Sequence, residues 1–329
     1  MTDTATQVLP RDTGLDPDDP ASVFALLLEG AREGIAGALV TIVGIDGGAP
    51  RALGAQMAVL ADGRYCGYVS GGCVEASVAT EAMRCIAAGA DETLRFGAGS
   101  PFIDIRLPCG GGIDVHVHVR PDAGLLAAEA WHMLEVRAPF YLALRPAGGS
   151  ATLVPGSGPR ERSEWRDGVF YRHYHPLTQI VLIGEGHELV SLAQLGRAAG
   201  LPVHSFMTAE AHGETVRRAG ARVVGVRGAT LPELPVDAFT AVVFLLHDQF
   251  KEGRLLEAAL GYEPFYIGAL GSRRTHATRV ARLEAAGVAG ERIARLRGPI
   301  GLYGPTRTSS ALAISVLGEI TEARIRLDG

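Results

Sequence analysis

Apolar and polar positions alternate in two different rhythms along this chain, and the rhythm changes near residue 175. In the first part, Val23, Phe24, Leu27 and Leu28 recur at helical spacing and predict a helix over 21–34. A β-rich run over 37–45 ends in the turn Asp46-Gly47-Gly48. Runs 56–60 and 64–69 flank Asp62-Gly63, a favoured hairpin dipeptide. Ser70-Gly71-Gly72-Cys73 then opens a helix expected to reach about Ala88. Over 113–119, Val115, Val117 and Val119 point one way, and Asp114, His116 and His118 the other. A helix near 123–136 and strands near 140–145 and 152–154 follow. Residues 148–166, rich in Gly, Pro, Ser and charge, read as a connecting hairpin or linker.

From Thr178 onward, strands alternate with helices. Strands are expected over 179–183, 203–206, 222–226, 241–246 and 265–270, and helices over 187–199, 212–219, 272–286 and 309–325. Run 179–183 is apolar after Gln179 and run 241–246 is apolar throughout, as in strands buried on both faces. This alternation predicts a doubly wound parallel sheet with right-handed crossovers. The fold class expected is therefore α/β, an N-terminal α/β domain plus a C-terminal Rossmann-like doubly wound parallel sheet. The expected division is a flexible tail over 1–20, an N-terminal domain over 21–175 and a Rossmann-like domain over 176–329.

Composition narrows the class. With 329 residues, 47% of them apolar, the chain can bury two ordinary cores. A net charge of -5 argues against a nucleic-acid binder, which usually carries a basic domain. No apolar run approaches the roughly 18–20 residues that span a bilayer, so no membrane partner is expected. The first twenty residues are polar and acidic, without the basic flank and apolar core of a secretory signal, and point to the cytoplasm. Cys66, Cys73, Cys85 and Cys109 all lie in the first third and form no CxxC pair, so they are read as thiols and not as a structural zinc site.

Five glycine-bearing segments carry candidate chemistry. Gly184-Glu185-Gly186-His187 follows a buried strand and opens a helix, where backbone N–H groups and the helix dipole favour a phosphate. It is an incomplete dinucleotide fingerprint. Leu189 stands at the third glycine, and no carboxylate ends the next strand, read as stopping at Val203-His204-Ser205. Gly268-Ala269-Leu270-Gly271-Ser272-Arg273-Arg274 offers an anion cradle, the alternative being a Ser N-cap with two solvated arginines. In the N-terminal part stand Gly47 to Gly54, with Pro50 and Arg51; Ser70, Gly71, Gly72, Cys73 and Glu75; and Pro108, Cys109, Gly110, Gly111 and Gly112. Cys73 at a helix start is placed for a lowered pKa, which Glu75 would oppose. Cys85, and less strongly Cys66, read as small core hydrophobes. His116 and His118 have a spacing compatible with a metal, but such a pair is more often a partly exposed polar face. His247-Asp248 reads equally as a ligand contact or a polar strand end.

Taken in order, these segments resemble the XdhC/CoxI family, the accessory proteins of xanthine dehydrogenase and related molybdenum hydroxylases. The carriers of the resemblance are GGAPRALGAQMAVLADGRYCGYVSGGCVEASV, LPCGGGIDV, IVLIGEGHELVSLAQLGRAAG and FYIGALGSRRTHATRVARL. The resemblance implies a protein that binds molybdenum cofactor, as molybdopterin or its dinucleotide. It further implies work with a cysteine desulfurase and delivery of the cofactor to an apo molybdenum hydroxylase, as a chaperone more than a stand-alone enzyme. The binding candidates it implies are Pro50, Arg51, Gly54, Ser70, Gly71, Gly72, Cys73, Glu75, Cys109, Gly110, Gly111, Gly184, Gly186, His187, Gly268, Gly271, Ser272, Arg273 and Arg274. Cys73 or Cys109 would be the thiol near molybdenum. A homodimer is the default assembly. Two departures stand out, Ser205 and Tyr303, each where the family usually has Asp. Two other readings stay open at this point, an NAD(P)-dependent oxidoreductase and a sulfur carrier acting through Cys73 or Cys109.

Overall fold

The computed structural model describes residues 11–13, 19–49, 51–72, 74–101, 110–119, 123–156, 158, 161–228 and 230–328. Pro50, Cys73 and Cys109 lie outside the described residues. The chain divides into two compact units, one ending at Pro176 and one running from Leu177.

In the first unit the elements run β1 (Arg11–Asp12), α1 (Pro20–Glu33), β2 (Gly37–Asp46), β3 (Gln56–Leu60), β4 (Arg64–Gly67), α2 (Glu75–Ala88), β5 (Glu92–Gly97), β6 (Gly112–Val119), α3 (Ala123–Glu135), β7 (Phe140–Arg145), β8 (Ser150–Pro155), β9 (Glu164–Arg166) and β10 (Val169–Tyr174). Local signals set the helix ends. The Asp19 side chain accepts from the Ala21 N–H, Pro20 occupies the first turn, and Gly34 closes α1 at φ 72°. One sheet has the order β1-β4-β3-β2-β6-β5. Strand alternation gives it two apolar faces. Val40, Ile42, Met57, Val59, Val115 and Val117 pack with α2, through Val78, Ala79 and Ala82. Leu39, Val43, Ala58 and Leu60 pack with α1 and with Phe140, Leu142 and Phe170 of a second, antiparallel sheet of order β8-β7-β10-β9. Within the segment expected to be a flexible tail, β1 pairs in parallel with β4. The expected linker over 148–166 contains β8 and β9.

The second unit continues β11 (Gln179–Gly184), α4 (Gly186–Ala198), β12 (Val203–Met207), α5 (Gly213–Arg218), β13 (Arg222–Gly225), β14 (Thr240–Leu245), α6 (Gln249–Ala259), β15 (Tyr266–Ala269), α7 (Arg273–Ala285), α8 (Gly290–Ala294), β16 (Leu296–Arg297) and α9 (Ser309–Asp328). All neighbouring strands are parallel, in the order β13-β12-β11-β14-β15-β16. Ile180, Leu182, Ala241 and Val243 face α4 and α9. Val181, Ile183, Val242 and Phe244 face α6, α7 and α8. Helices thus cover both faces of a parallel sheet, the Rossmann-like arrangement, and the strand order reverses between β11 and β14. Among the described residues no helix is long and apolar enough to cross a membrane.

Candidate functional site

Strand register brings the N-terminal glycine segments to one end of their sheet. Asp46 pairs with Gly112 and Gly97 with Gly112, while Met57 pairs with Gly67. The loops that follow β2, β4 and β5, and the one that precedes β6, therefore leave the sheet on the same side. Two of them touch backbone to backbone. A Cβ on Gly111 would lie 2.1 Å from the Gly48 carbonyl oxygen, so only glycine permits this approach. Arg95 clamps the same corner. Its guanidinium donates to both Asp114 carboxylate oxygens at 3.2 and 3.1 Å, to Asp46 at 3.0 Å and to the Ala98 carbonyl at 2.9 Å.

Beside them, the loop after β4 is folded around one carboxylate. Glu75, 2% exposed, accepts from the Ser70 N–H at 2.7 Å, from the Ser70 hydroxyl at 2.8 Å and from the Val74 N–H at 3.1 Å. Glu75 therefore shapes the Gly71-Gly72 loop from inside, and both glycines are exposed. Gly54, at φ 86°, is buried where a Cβ would meet the Arg172 side chain at 2.6 Å. Arg51 is half-buried. Cys66 and Cys85 lie in the cores on opposite faces of the sheet. Burial pushes the Cys66 thiol up to about 12 and the Cys85 thiol up to about 11.

In the second unit the strand-order reversal sets the site. Gly184 ends β11 at φ 148°, where a Cβ would lie 2.1 Å from the Leu245 carbonyl oxygen. Leu189, in the third-glycine position, is fully buried in the core under α4. The second strand runs on to Met207, one residue past the expected 203–206, so Ser205 is a mid-strand core residue, not the strand's end, and Thr208 follows the strand. The Thr208 hydroxyl donates to Glu185 at 2.5 Å, and Lys251 donates to the Thr208 carbonyl at 3.3 Å. A carboxylate thus reaches the end of β12 from the glycine turn itself. His187 is exposed, its ring 4.6 Å from that of His212. Asp248, read as a ligand contact or strand end, caps α6 by accepting from the Phe250 and Lys251 N–H groups at 2.9 and 3.2 Å.

The adjoining crevice is a cavity of about 410 Å³ lined by Glu188, His247, Gly271, Tyr303, Arg307 and Ser309. The 301–303 turn on its rim is pinned to α9. Gly301 N–H donates to Glu319 at 2.6 Å, and Ser315 both accepts from the Tyr303 N–H and donates to its carbonyl. The cradle expected at 268–274 is divided between roles. Gly268 is inside β15, where a Cβ would meet Ile300 at 2.6 Å. Gly271 lines the cavity. Ser272 caps α7 by accepting from the Thr275 N–H at 3.1 Å, and Arg273 and Arg274 are exposed. Arg95, Arg307 and the Glu185–Thr208 contact were not found from sequence; each depends on pairing between segments far apart in the chain.

One expectation is overturned. His116 and His118 are not on a partly exposed face but are 1% and 3% exposed, and Asp91 stands with them. Burial holds the His116 imidazole down at about 4.

Comparison with known proteins follows the two units. Residues 31–97 match the model described as the XdhC and CoxI family, and residues 180–320 match the XdhC Rossmann domain. The molybdenum cofactor insertion chaperone PaoD of Escherichia coli is 37% identical over 308 residues, covering 94% of this chain and 90% of that protein. A second Escherichia coli protein, the uncharacterized YqeB, is 25% identical over 303 residues, 89% of this chain and 44% of its own length. The crystal structure of a xanthine dehydrogenase from Bacillus halodurans shares the fold, with a TM-score of 0.72 over 92% of this chain and 95% of that one, at 20% identity.

Proposed function

The chain belongs to the XdhC and CoxI family, and from that premise we propose that it binds molybdenum cofactor and promotes its insertion into an apo molybdenum hydroxylase. The observation that carries this reading is the 37% identity to a molybdenum cofactor insertion chaperone along nearly the whole of both chains. When bound, the cofactor brings a phosphorylated pterin and a thiophilic molybdenum centre.

The residues present fit such a group. The crevice of about 410 Å³ has the size of a small-ligand site and lies at the strand-order reversal, where ligands of open α/β sheets bind. Its rim carries Arg307 and the start of the twenty-residue α9, both suited to a phosphate. In the first unit, the Gly71-Gly72 and Gly110-Gly111 loops, with the thiols Cys73 and Cys109 in the same segments, are a second candidate region for the cofactor. The finer assignments belong to the same proposal: sulfuration with a cysteine desulfurase, action in the cytoplasm as a homodimer, and a bound form that is molybdopterin or its dinucleotide.

The test is retention of cofactor. Purified protein is incubated with molybdenum cofactor and desalted, and the protein fraction is assayed for pterin by fluorescence after acidic iodine oxidation. Stoichiometric pterin is expected, falling by about tenfold or more in Arg307→Ala if a charge-assisted phosphate contact worth ~1.5–3 kcal/mol is lost. Cys73→Ala and Cys109→Ala test the loops of the first unit. No pterin held by the unaltered chain would overturn the reading.

A further inference from the structure

The half of the β2–β6 sheet away from the glycine loops holds a cluster that cofactor handling does not use. Asp91 precedes β5, and His116 and His118 lie on one face of β6. Pairing of β5 with β6 sets Thr93 opposite His116 and brings Asp91 beside His118. The three side chains are 8%, 2% and 4% exposed.

Their inner atoms converge. Asp91 Oδ2 lies 2.7 Å from His118 Nδ1 and 3.8 Å from His116 Nε2, and one donor atom from each residue falls within 4.8 Å of the others. The outer atoms of Asp91 and His116 are already held. Thr93 Oγ1 is 3.0 Å from His116 Nδ1, and the Val119 N–H donates to Asp91 Oδ1 at 2.7 Å. Thr93 can take the Nδ1 proton, which leaves the Nε2 lone pair directed inward. Such outer contacts orient metal ligands in known sites. A hydrogen-bonded buried trio would account for the Asp91–His118 pair alone. It does not account for His116 Nε2, turned to the same oxygen at a distance too long for a hydrogen bond. A cation with bonds of about 2.0–2.2 Å in tetrahedral geometry sets its donors roughly 3.3–3.5 Å apart, between the two distances seen.

We propose that Asp91, His116 and His118 form a binding site for a divalent cation of the zinc class, separate from the glycine loops. Two imidazoles and a carboxylate suit Zn²⁺ and leave one tetrahedral position for a further ligand. The cation would tie the end of α2 and the start of β5 to β6.

The test uses the full chain, stripped with chelator and titrated with Zn²⁺ and then Co²⁺. One tightly held equivalent is expected. The Co²⁺ form should show the d–d absorption of tetrahedral coordination without the near-ultraviolet charge transfer that thiolates give. Affinity should fall at least tenfold in Asp91→Asn and His116→Gln, and about tenfold in the outer-contact variant Thr93→Val. It should stay unchanged in the Cys73→Ser, Cys109→Ser double variant. Zn²⁺ should also raise the melting temperature of the unaltered chain. If His116→Gln fails to fold, stoichiometry and spectrum of the unaltered chain still decide. No retained equivalent, a thiolate spectrum, or binding lost only with the cysteines would each overturn the proposal.

Discussion

Glu75 turns its carboxylate inward, onto the loop that leads into its own helix. Replacing it by Ala takes an acceptor from the Ser70 N–H, the Ser70 hydroxyl and the Val74 N–H in a buried setting, the Val74 N–H keeping its 3.4 Å contact to Ser70 Oγ. Each unsatisfied donor costs about 1–3 kcal/mol, so with about two left unsatisfied Glu75→Ala should lose roughly 2–6 kcal/mol in urea unfolding, and Glu75→Gln clearly less because its carbonyl still accepts. An equal loss in both variants would mean that charge, and not hydrogen bonding, holds the loop. The thiols divide at the same scale. With pKa values of about 12 and 11, Cys66 and Cys85 expose only about one thiolate in 10⁴ and 10³ at pH 8, and both are buried. In the Cys73→Ser, Cys109→Ser variant, a disulfide reagent should therefore find almost no reactive thiol in the native protein. It should find both Cys66 and Cys85 after unfolding. Rapid native labelling would contradict the buried placement.

Between elements, close backbone approach decides which glycines matter. Gly111→Ala would drive a Cβ to 2.1 Å from the Gly48 carbonyl and separate two of the glycine loops, whereas Gly71 has nothing within 4 Å. We expect Gly111→Ala to lower stability by about 2–3 kcal/mol and pterin retention with it, and Gly71→Ala to change stability by less than about 0.5 kcal/mol. Similar unfolding midpoints for the two would refute the packing argument. Glu252 links α6 to α7 through a buried, two-point contact with Arg279 at 3.0 and 2.9 Å. Removing it alone should cost about 3–5 kcal/mol by leaving the guanidinium unpaired, a loss that the double variant with Arg279→Met should partly restore. Elements with their own periodicity were legible in the sequence: α1, β6, β11 and α9 are where apolar spacing puts them. β10 was not, because Arg172 and His173 break its apolar run and are accommodated by segments outside it. α6 was missed because its Asp248 cap read as a strand end. At the site, glycine spacing marked the loops, but Asp91 meets His118 only through β5, a strand the pattern did not reveal.

At the scale of the molecule, every apolar cluster among the described residues lies inside one unit. Two clusters use residues 23–174 alone, and two use residues 180–320 alone. The second unit also covers both faces of its parallel sheet with its own helices, so it carries no large apolar sheet face that needs another partner. Residues 177–329 expressed alone should therefore fold. We expect a cooperative urea transition, at a midpoint that reappears as one of two steps in the full chain, since separate cores unfold separately unless an interface couples them. A fragment without a cooperative transition would show that the C-terminal unit depends on the N-terminal one for stability. Once folded, the fragment tests the second unit's crevice by itself. If Arg307 and the start of α9 hold the phosphate, the fragment alone should keep measurable affinity for the phosphorylated cofactor and lose it in Arg307→Ala; no retention by the folded fragment would remove the crevice of the second unit from the proposed site.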